Sequence, residues 1–302
     1  MISINTVERR RAGLFYGLGA YLSWGVFPLY WQLLDVPSSE ILAHRIAWSL
    51  VFVTLLLKAI GYRFRLPPVA RSLKGVLKFV LSAVLIGINW WLYIWAVQNG
   101  FVVEASLGYF ISPLMSILVG MVIFGERLSV RQGAGVSLSF LSVLYLSLTY
   151  GRVPWVALTL ALSFALYGVM RKTSSLESLE GLFVESLILF APALYYIVQL
   201  DAENKASFLN GAIQTDLLLV LSGALTALPL IWFAAAARRL PLATLGMLQY
   251  IAPSCQFLLG VFWFKEPCDV HRLLAFIAIW FALFIFSYQP RKDKGGAILH
   301  EL

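Results

Sequence analysis

The segment Phe110-Ile111-Ser112-Pro113 is repeated 140 positions later as Tyr250-Ile251-Ala252-Pro253, and this repeat decides the fold. The register continues without a gap through pairs of identical residues. These pairs include Gly120 with Gly260, Phe124 with Phe264, Glu126 with Glu266 and, nearer the start of each half, Ser23 with Ser163 and Glu40 with Glu180. Matched Pro, Gly and Glu residues in one ungapped register rarely arise by chance, even in an apolar chain. We therefore predict two homologous halves.

The composition excludes an ordinary soluble domain. Of 302 residues, 60% are hydrophobic and 13% are charged, whereas roughly a quarter of the residues in a soluble domain are charged. The net charge of +8 comes from basic residues between apolar runs rather than along one face. We therefore expect a lipid bilayer, and no nucleic acid, as partner. We expect no metal and no cofactor, because the sequence holds neither a metal-ligand spacing nor a Gly-rich phosphate loop.

Ten apolar runs are each long enough to cross the ~30 Å hydrocarbon core of a bilayer as a helix. They lie near 12–34, 40–60, 76–97, 103–124, 128–149, 153–170, 178–199, 214–237, 242–264 and 271–289. We therefore predict an all-α integral membrane protein with ten transmembrane helices. The first run lacks a small-residue cleavage site, so we expect it to be retained as helix 1 rather than removed as a signal peptide.

The distribution of basic residues predicts the orientation of these helices. With the N-terminus inside, 18 of the 23 Lys and Arg residues lie on the inner side. Cytoplasmic loops carry this kind of excess. Both termini and the 61–75 loop should therefore be cytoplasmic, and the 200–213 loop should lie outside.

Each half of the repeat contains five predicted helices, and an odd number makes the second half enter the membrane from the opposite side. We therefore predict two inverted-topology five-helix repeats, 1–150 and 151–290, followed by a cytoplasmic tail, 291–302. Inverted repeats are typical of transporters, because the halves can exchange conformations around a central site. A duplication kept only for packing is the alternative.

Four stretches carry a resemblance to a known family: Leu14–Trp31, Glu40–Arg45, Asn89–Trp95 and Val103–Tyr109. Over essentially the whole chain, the sequence resembles the RarD branch of the EamA, or drug/metabolite transporter, superfamily. The resemblance implies a bacterial inner-membrane permease with ten helices in two inverted halves. It also implies a central cavity lined mainly by helices 1, 3, 4, 6, 8 and 9. Other members move amino acids, amphipathic metabolites and drugs.

The function expected from these observations is secondary transport of a small molecule by alternating access. A channel-like facilitator and a non-transporting membrane scaffold are the alternatives. A membrane enzyme is disfavoured, because three scattered His residues do not form a catalytic cluster. The sequence identifies neither the substrate nor the direction of transport.

Two prolines mark the predicted centre of the membrane. Pro113 and Pro253 lie about ten residues into helices 4 and 9, where a proline kinks the helix and frees the carbonyl four residues earlier. The freed carbonyls belong to Tyr109 and Gln249, which are themselves equivalent in the repeat. We predict a midplane binding site at these residues, with a kink needed only for packing as the alternative.

Helix 3 adds a polar and aromatic surface at Asn89, Trp90 and Tyr93. A carboxamide facing lipid would cost several kcal/mol, so Asn89 should face the protein interior. Such a surface suits an amphipathic or aromatic ligand, although Asn89 would equally well bond a neighbouring helix. The residues predicted to bind the substrate are Trp24, Asn89, Trp90, Tyr93, Tyr109, Gln249 and Tyr250.

Arg45 and Glu185 are charged residues within predicted helices, at equivalent repeat positions. A charge inside the membrane is normally paired, and inversion places these two near opposite surfaces. We predict Glu104 as the partner of Arg45, and Arg171 or Arg238 as the partner of Glu185. These groups would gate the pathway or brace the bundle, and Glu185 is a candidate protonatable group with protons as the coupling ion.

Two turns follow the predicted helices 4 and 9, at Gly125-Glu126 and Lys265-Glu266. Their glutamates precede helices 5 and 10. We expect both carboxylates to stabilise the positive N-termini of those following helices, which is a structural role.

Overall fold

The computed structural model describes residues 2–62, 72–99, 101–150, 153–265 and 270–287, and all regular elements among them are helices. The elements are α1 (Ile2–Trp31), α2 (Ser38–Ala59), α3 (Leu73–Gln98), α4 (Val102–Phe124), α5 (Val130–Tyr150), α6 (Trp155–Lys172), α7 (Ser178–Ala202), α8 (Ile213–Ala237), α9 (Leu242–Gln249), α10 (Ile251–Leu258), the π-helical turn π1 (Leu259–Trp263) and α11 (Val270–Ser287). The predictions for Glu266 and for the 291–302 tail lie outside the described residues.

A helix lies at each of the ten predicted positions, and the ninth position is occupied by α9, α10 and π1 in succession. Within the part of the chain that the structure describes, six helical segments are both long and apolar enough to cross a membrane by length and composition. They are Ser38–Ala59, Leu73–Ala96, Glu104–Phe124, Ser178–Ala202, Ile213–Ala237 and Leu242–Phe262. The predicted class of an all-α membrane protein is therefore supported. Gly, Ser and Tyr residues make α1 and α5 less apolar than these six.

One end of the helix bundle, which we call the basic end, gathers the termini of several helices. Arg9, at the start of α1, donates to the carbonyl of Arg238 just after α8. Lys172, the last residue of α6, lies 3.8 Å from the carboxylate of Glu126. The same carboxylate accepts from the backbone N–H of Leu242, the first residue of α9. The starts of α1 and α9 therefore meet the ends of α4, α6 and α8.

Glu126 was expected to stabilise the start of α5, and that expectation is wrong. Its two carboxylate oxygens accept from the N–H groups of Leu242 and Ala243, 2.7 and 2.9 Å away, in the first turn of α9. The start of α5 has its own reciprocal cap, in which Ser129 and Gln132 bond each other's backbone N–H groups. A carboxylate near a helix N-terminus is stabilised by its free N–H groups, and here tertiary packing supplies the helix.

The opposite end, which we call the loop end, gathers the complementary termini. Glu40, in the first turn of α2, accepts from the N–H groups of Ser207 and Phe208 in the loop between α7 and α8. Glu104, in the first turn of α4, accepts from the N–H of Val156 at the start of α6. Consequently α1 runs away from the basic end, whereas α6, its partner in the repeat, runs toward it.

The main helix contacts are exchanged when each helix is replaced by the equivalent helix of the other half. α1 packs against α8 and α10, and its equivalent helix α6 packs against the equivalent pair, α3 and α4. Likewise α2 contacts α8, and α7 contacts α3. Three further contacts, α2 with α7, α4 with α9 and α5 with α11, map onto themselves.

Close helix packing depends on small residues, as in other membrane bundles. A Cβ atom at Gly223 would lie 2.3 Å from the backbone of Trp48, so only glycine permits this approach of α8 to α2. Ser49 donates to the Gly223 carbonyl at 3.0 Å across the same contact. Large apolar side chains such as Val122 and Phe284 are exposed on the outside of the bundle, which is typical of a surface covered by lipid.

The two repeat-equivalent prolines have different effects on their helices. At Pro253, the helix is interrupted three residues earlier, at Tyr250 between α9 and α10. At Pro113, α4 continues without interruption. The Pro113 carbonyl is closely packed by α9, because a Cβ atom at Gly246 would lie only 2.6 Å from its oxygen.

Candidate functional site

A cavity with a volume of about 390 Å³ lies at the centre of the bundle. Residues from α1, α2, α3, α4, α6, α8, α9 and α10 line it, so α2 joins the six helices that the resemblance implied. The predicted binding residues that the cavity brings together are Trp24, Asn89, Trp90, Tyr93, Tyr109 and Gln249.

The cavity extends from the middle of the bundle to the loop end. Its lining includes Trp31 at the end of α1 and Ser38 at the start of α2, both at that end. Tyr93 and Tyr109, on the cavity walls, are 38% and 40% exposed. Both side chains therefore face the open space of the cavity inside the bundle.

Tyr250 is the predicted binding residue that does not line the cavity. It is fully buried, and its hydroxyl donates to the carbonyl of Phe110 at 3.3 Å, between α9 and α4. Successive residues of a helix point about 100° apart, so Tyr250 turns away where Gln249 faces the cavity. The two prolines also differ in position, because Pro253 lines the cavity and Pro113 is not among its lining residues.

Gln249 presents hydrogen-bond donors to the cavity. Its carbonyl oxygen accepts from the hydroxyl of Ser116 at 3.3 Å. Its amide N–H groups have no hydrogen-bond acceptor in the part of the chain that the structure describes. A ligand carbonyl, hydroxyl or carboxylate would satisfy these donors.

Asn89 serves two purposes that the sequence left as alternatives. Its amide nitrogen donates to the carbonyl of Leu160 at 2.8 Å and to the hydroxyl of Ser163 at 2.9 Å, which ties α3 to α6. The side chain also lines the cavity, where its carbonyl oxygen is a potential acceptor.

Aromatic rings form the deep wall of the cavity. Trp24 packs edge-on against Tyr21 and Phe164, with ring centroids 5.5 and 6.0 Å apart. Tyr93 and Tyr109 pack edge-on against each other at 5.8 Å. The wall suits the apolar face of an amphipathic molecule, because aromatic contacts supply a large area in a fixed geometry.

Arg45 lies in the cavity wall, and its contacts differ from the prediction. Its guanidinium carbon lies 4.9 Å from the ring centroid of Trp31 and 5.5 Å from that of Trp90. Its Nε donates to the hydroxyl of Thr226 at 2.9 Å. The predicted partner, Glu104, accepts instead from the N–H of Val156 at 3.0 Å, because the free N–H groups at the start of α6 attract its carboxylate.

Glu185 and its neighbours form a buried polar cluster, which we call the closed network, made of Ser82, Tyr167, Arg171 and Glu185. The predicted ion pair with Arg171 is present, with Nη1 and Oε1 3.1 Å apart. Ser82 and Tyr167 donate to the same carboxylate at 2.5 and 3.2 Å. The other predicted partner, Arg238, pairs instead with Glu177 in a more exposed position.

The closed network requires close approach of α7 to α6. The Nη2 of Arg171 donates to the carbonyl of Ser178 at 2.8 Å. A Cβ atom at Gly181 would lie 2.0 Å from Nη1 of the same arginine, so a larger residue there would displace the guanidinium. A hydrophobic cluster that includes Tyr21, Phe233 and Leu242 fills the interior between the cavity and the basic end, and Tyr167 of the closed network is part of it.

Sequence reasoning missed several cavity residues, notably Trp31, Thr226 and Gln256. Gln256 donates to the carbonyl of Trp24 at 3.1 Å, which holds α10 against α1. The repeat offset offered a signal for Trp31. Arg45 is equivalent to Glu185, and Trp31 is equivalent to Arg171, the partner of Glu185. Trp31 was therefore to be expected beside Arg45.

Comparison with known proteins agrees with this architecture. The model of the EamA-like transporter family matches residues 11–148. A protein named RarD from Streptomyces exfoliatus is 46% identical over 93% of this chain and 90% of its own length. An uncharacterized transporter, YojE, from Bacillus subtilis is 42% identical over 96% of this chain and 98% of its own length. This chain belongs to the RarD branch of the EamA-like transporter family.

Further relatives of this branch are also bacterial. The RarD protein of Escherichia coli is 39% identical over 92% of this chain and 95% of its own length. One crystal structure superposes with a TM-score of 0.73 over 92% of this chain and 98% of the other, at 19% sequence identity. That likeness shows the fold. Membership of the RarD branch makes the chain a multi-pass membrane transporter, and its relatives' names point to transport rather than catalysis.

Proposed function

We propose that this RarD-branch protein is a secondary transporter that moves small amphipathic metabolites, amino acids or drugs by alternating access, with the central cavity as its substrate site. The observation that carries the proposal is the contrast between the two sides of the cavity. Toward the loop end the cavity lining reaches the ends of α1 and α2, whereas toward the basic end a hydrophobic cluster and the closed network fill the interior.

The proposed architecture is ten membrane-spanning helices in two inverted halves, 1–150 and 151–290. The opposite directions of α1 and α6 support it, because equivalent helices of inverted halves run in opposite directions. The exchange of helix contacts between the halves also supports it. Inverted repeats with a central site are the usual design of alternating-access carriers.

In the proposed orientation, the basic end faces the cytoplasm of a bacterium and the loop end faces the periplasm. The excess of Lys and Arg on the predicted inner side supports this assignment. Both termini are then cytoplasmic, and the loop 203–212 is periplasmic. The conformation described above is consequently open to the outside.

Transport requires the closed network to open when the loop end closes. Arg171 and Glu185 belong to α6 and α7, so separation of these helices from α3 and α8 would connect the cavity with the basic end. Protons are the proposed coupling ion. Protonation of Glu185 would remove the charge that holds Arg171 and would favour this opening.

The test is transport by the purified protein in liposomes, with a panel of radiolabelled amino acids and aromatic metabolites, with and without a pH gradient. We expect saturable uptake, counterflow of unlabelled substrate, and dependence on the gradient. Flux that neither saturates nor shows counterflow would indicate a channel-like facilitator. Absence of flux for every compound, from protein that remains folded in the liposomes, would favour a scaffold and contradict the proposal.

A further inference from the structure

We infer that the transported molecule is an organic anion with an aromatic or apolar body, and that Arg45 binds its carboxylate. The inference rests on the proposed function, because it assigns the substrate class to the same cavity. Its starting observation is that Arg45 lines the cavity without an acidic partner. No Asp or Glu of the described residues lies within 4.0 Å of its guanidinium.

The hydrogen-bonding capacity of Arg45 is largely unused. A guanidinium carries five N–H donors, and Nε donates to the hydroxyl of Thr226. The N–H groups of Nη1 and Nη2 have no acceptor among the described residues. The faces of the Trp31 and Trp90 rings make cation–π contacts with the guanidinium. These rings do not accept hydrogen bonds from its in-plane N–H groups, whereas a carboxylate accepts two of them at once.

The repeat supplies an internal reference for this site. Glu185, equivalent to Arg45, is paired with Arg171, and the residue equivalent to Arg171 in the first half is Trp31. The second half thus contains charge and counter-charge, whereas the first half contains the charge and an aromatic ring at the partner's position. Because an uncompensated charge inside a membrane protein is expensive, we expect the counter-charge at Arg45 to come from the substrate.

The rest of the cavity fits the body of such a molecule. Arg45 is the only charged side chain among the described residues of the lining, which includes no carboxylate for a cationic substrate. The aromatic wall around Trp24 and Phe164 lies deeper, with the amide donors of Gln249 beside it. A carboxylate at Arg45 would leave an aromatic or apolar group to pack against this wall.

The experiment measures binding of four small probes to the full-length protein in nanodiscs, by quenching of tryptophan fluorescence. Phenylacetate is the anionic probe, phenylacetamide its neutral isostere, 2-phenylethylammonium its cationic counterpart, and acetate the anion without a ring. We expect phenylacetate to bind about 10- to 100-fold more tightly than phenylacetamide, the range for a hydrogen bond to a charged group. The cation and acetate should bind more weakly than phenylacetate.

Three variants assign this preference to one residue. Arg45→Gln should bind phenylacetate no more tightly than phenylacetamide, whereas Arg45→Lys should keep part of the preference because it keeps the charge. Arg239→Gln is the matched control, since Arg239 also lies over an aromatic ring, that of Tyr16, at 5.2 Å and outside the cavity lining. It should leave all four affinities unchanged. If Arg45→Gln fails to fold, the test is the comparison of Arg45→Lys with Arg239→Gln. Arg45→Lys should lose part of the preference for phenylacetate over phenylacetamide, and Arg239→Gln should lose none of it.

The possible results separate this inference from the proposed function. Equal binding of phenylacetate and phenylacetamide by the unmodified protein would overturn the inference, and so would an anion preference that survives in Arg45→Gln. Acetate binding as tightly as phenylacetate would show that the site binds a carboxylate without recognising the aromatic body. That result would also overturn the inference. Flux of neutral or cationic compounds unaffected by Arg45→Gln would leave transport standing without an anionic substrate. Phenylacetate binding without flux of any anion would instead contradict transport and preserve the anion site.

Discussion

Arg45 and Glu185 occupy the same position in the two halves of the molecule, yet their surroundings are opposite. Glu185 is buried, paired with Arg171 and bonded by Ser82 and Tyr167. Arg45 lies in the wall of the central cavity, over tryptophan rings, without an acidic partner among the described residues. In the proposed carrier, the surroundings of Glu185 form the closed side and the surroundings of Arg45 form the open side. An alternating-access carrier needs this asymmetry at any moment, and a symmetric arrangement would occlude or open both sides at once.

The largest expected effect comes from breaking the closed side. Glu185→Gln leaves Arg171 buried without its counter-charge, which typically destabilises a protein by about 3–5 kcal/mol. We expect a clear fall in the thermal unfolding midpoint of the detergent-solubilised protein. The matched control is Glu177→Gln, which makes the same change in the more exposed pair with Arg238 and should cost about 0–1 kcal/mol. Equal losses in both variants would show that the network does not brace the closed side.

The next effect concerns the open side, where Gln249 and Tyr109 line the cavity from equivalent positions. Gln249→Leu keeps the bulk and removes the donors that face the cavity. Losing one such contact should cost about 1–3 kcal/mol, or about 5- to 150-fold in apparent substrate affinity. The measurement is the concentration dependence of uptake into liposomes.

Gln199→Leu is the control for that experiment, because it makes the same change on α7 outside the cavity. Both variants should keep the unfolding midpoint within a few degrees of the unmodified protein. Unchanged uptake by Gln249→Leu together with a lowered midpoint would make Gln249 a packing residue and would contradict the assigned site.

The smallest expected effect is the change in stability caused by removing Arg45, which is compared with the change caused by removing the charge of Glu185. Arg45→Gln removes a charge that has no acidic partner among the described residues, so the lost cation–π contacts, about 0.5–2 kcal/mol, are offset by a smaller desolvation cost. We therefore expect a stability change of less than about 1 kcal/mol in the empty protein, seen as a thermal unfolding midpoint that falls much less than that of Glu185→Gln. A loss as large as that of Glu185→Gln would mean that Arg45 is a structural partner and that the two sides are alike.

Much of this arrangement follows from sequence, because helix positions depend on local hydropathy and the repeat fixes which residues are equivalent. The cavity could be predicted from Asn89, Tyr109 and Gln249, since polar groups at membrane depth must face the interior. The same rule, together with the cost of an unpaired charge, predicted Arg171 or Arg238 as the partner of Glu185, and the structure shows that the partner is Arg171.

The errors at Glu104 and Glu126 have a common physical cause, which is competition among tertiary partners. Glu104 and Glu126 each find a helix N-terminus that is distant in sequence, α6 and α9 respectively. No local pattern indicates which free N–H groups will approach a given carboxylate. Tyr250 failed for a different reason, because the interruption between α9 and α10 sets which of two adjacent residues faces the cavity.

The most direct test of the central claim is the side from which the cavity can be reached. A single cysteine replaces Tyr109, which is 40% exposed on the cavity wall, in a background with Cys255→Ser and Cys268→Ser. Its rate of reaction with a membrane-impermeant thiol reagent is measured in intact cells and in inverted vesicles. We predict fast labelling from outside, slow labelling from inside, and a shift toward inside labelling when Glu185→Gln is added. Equal rates from both sides, or no shift with Glu185→Gln, would contradict a carrier whose closed side is held by this network.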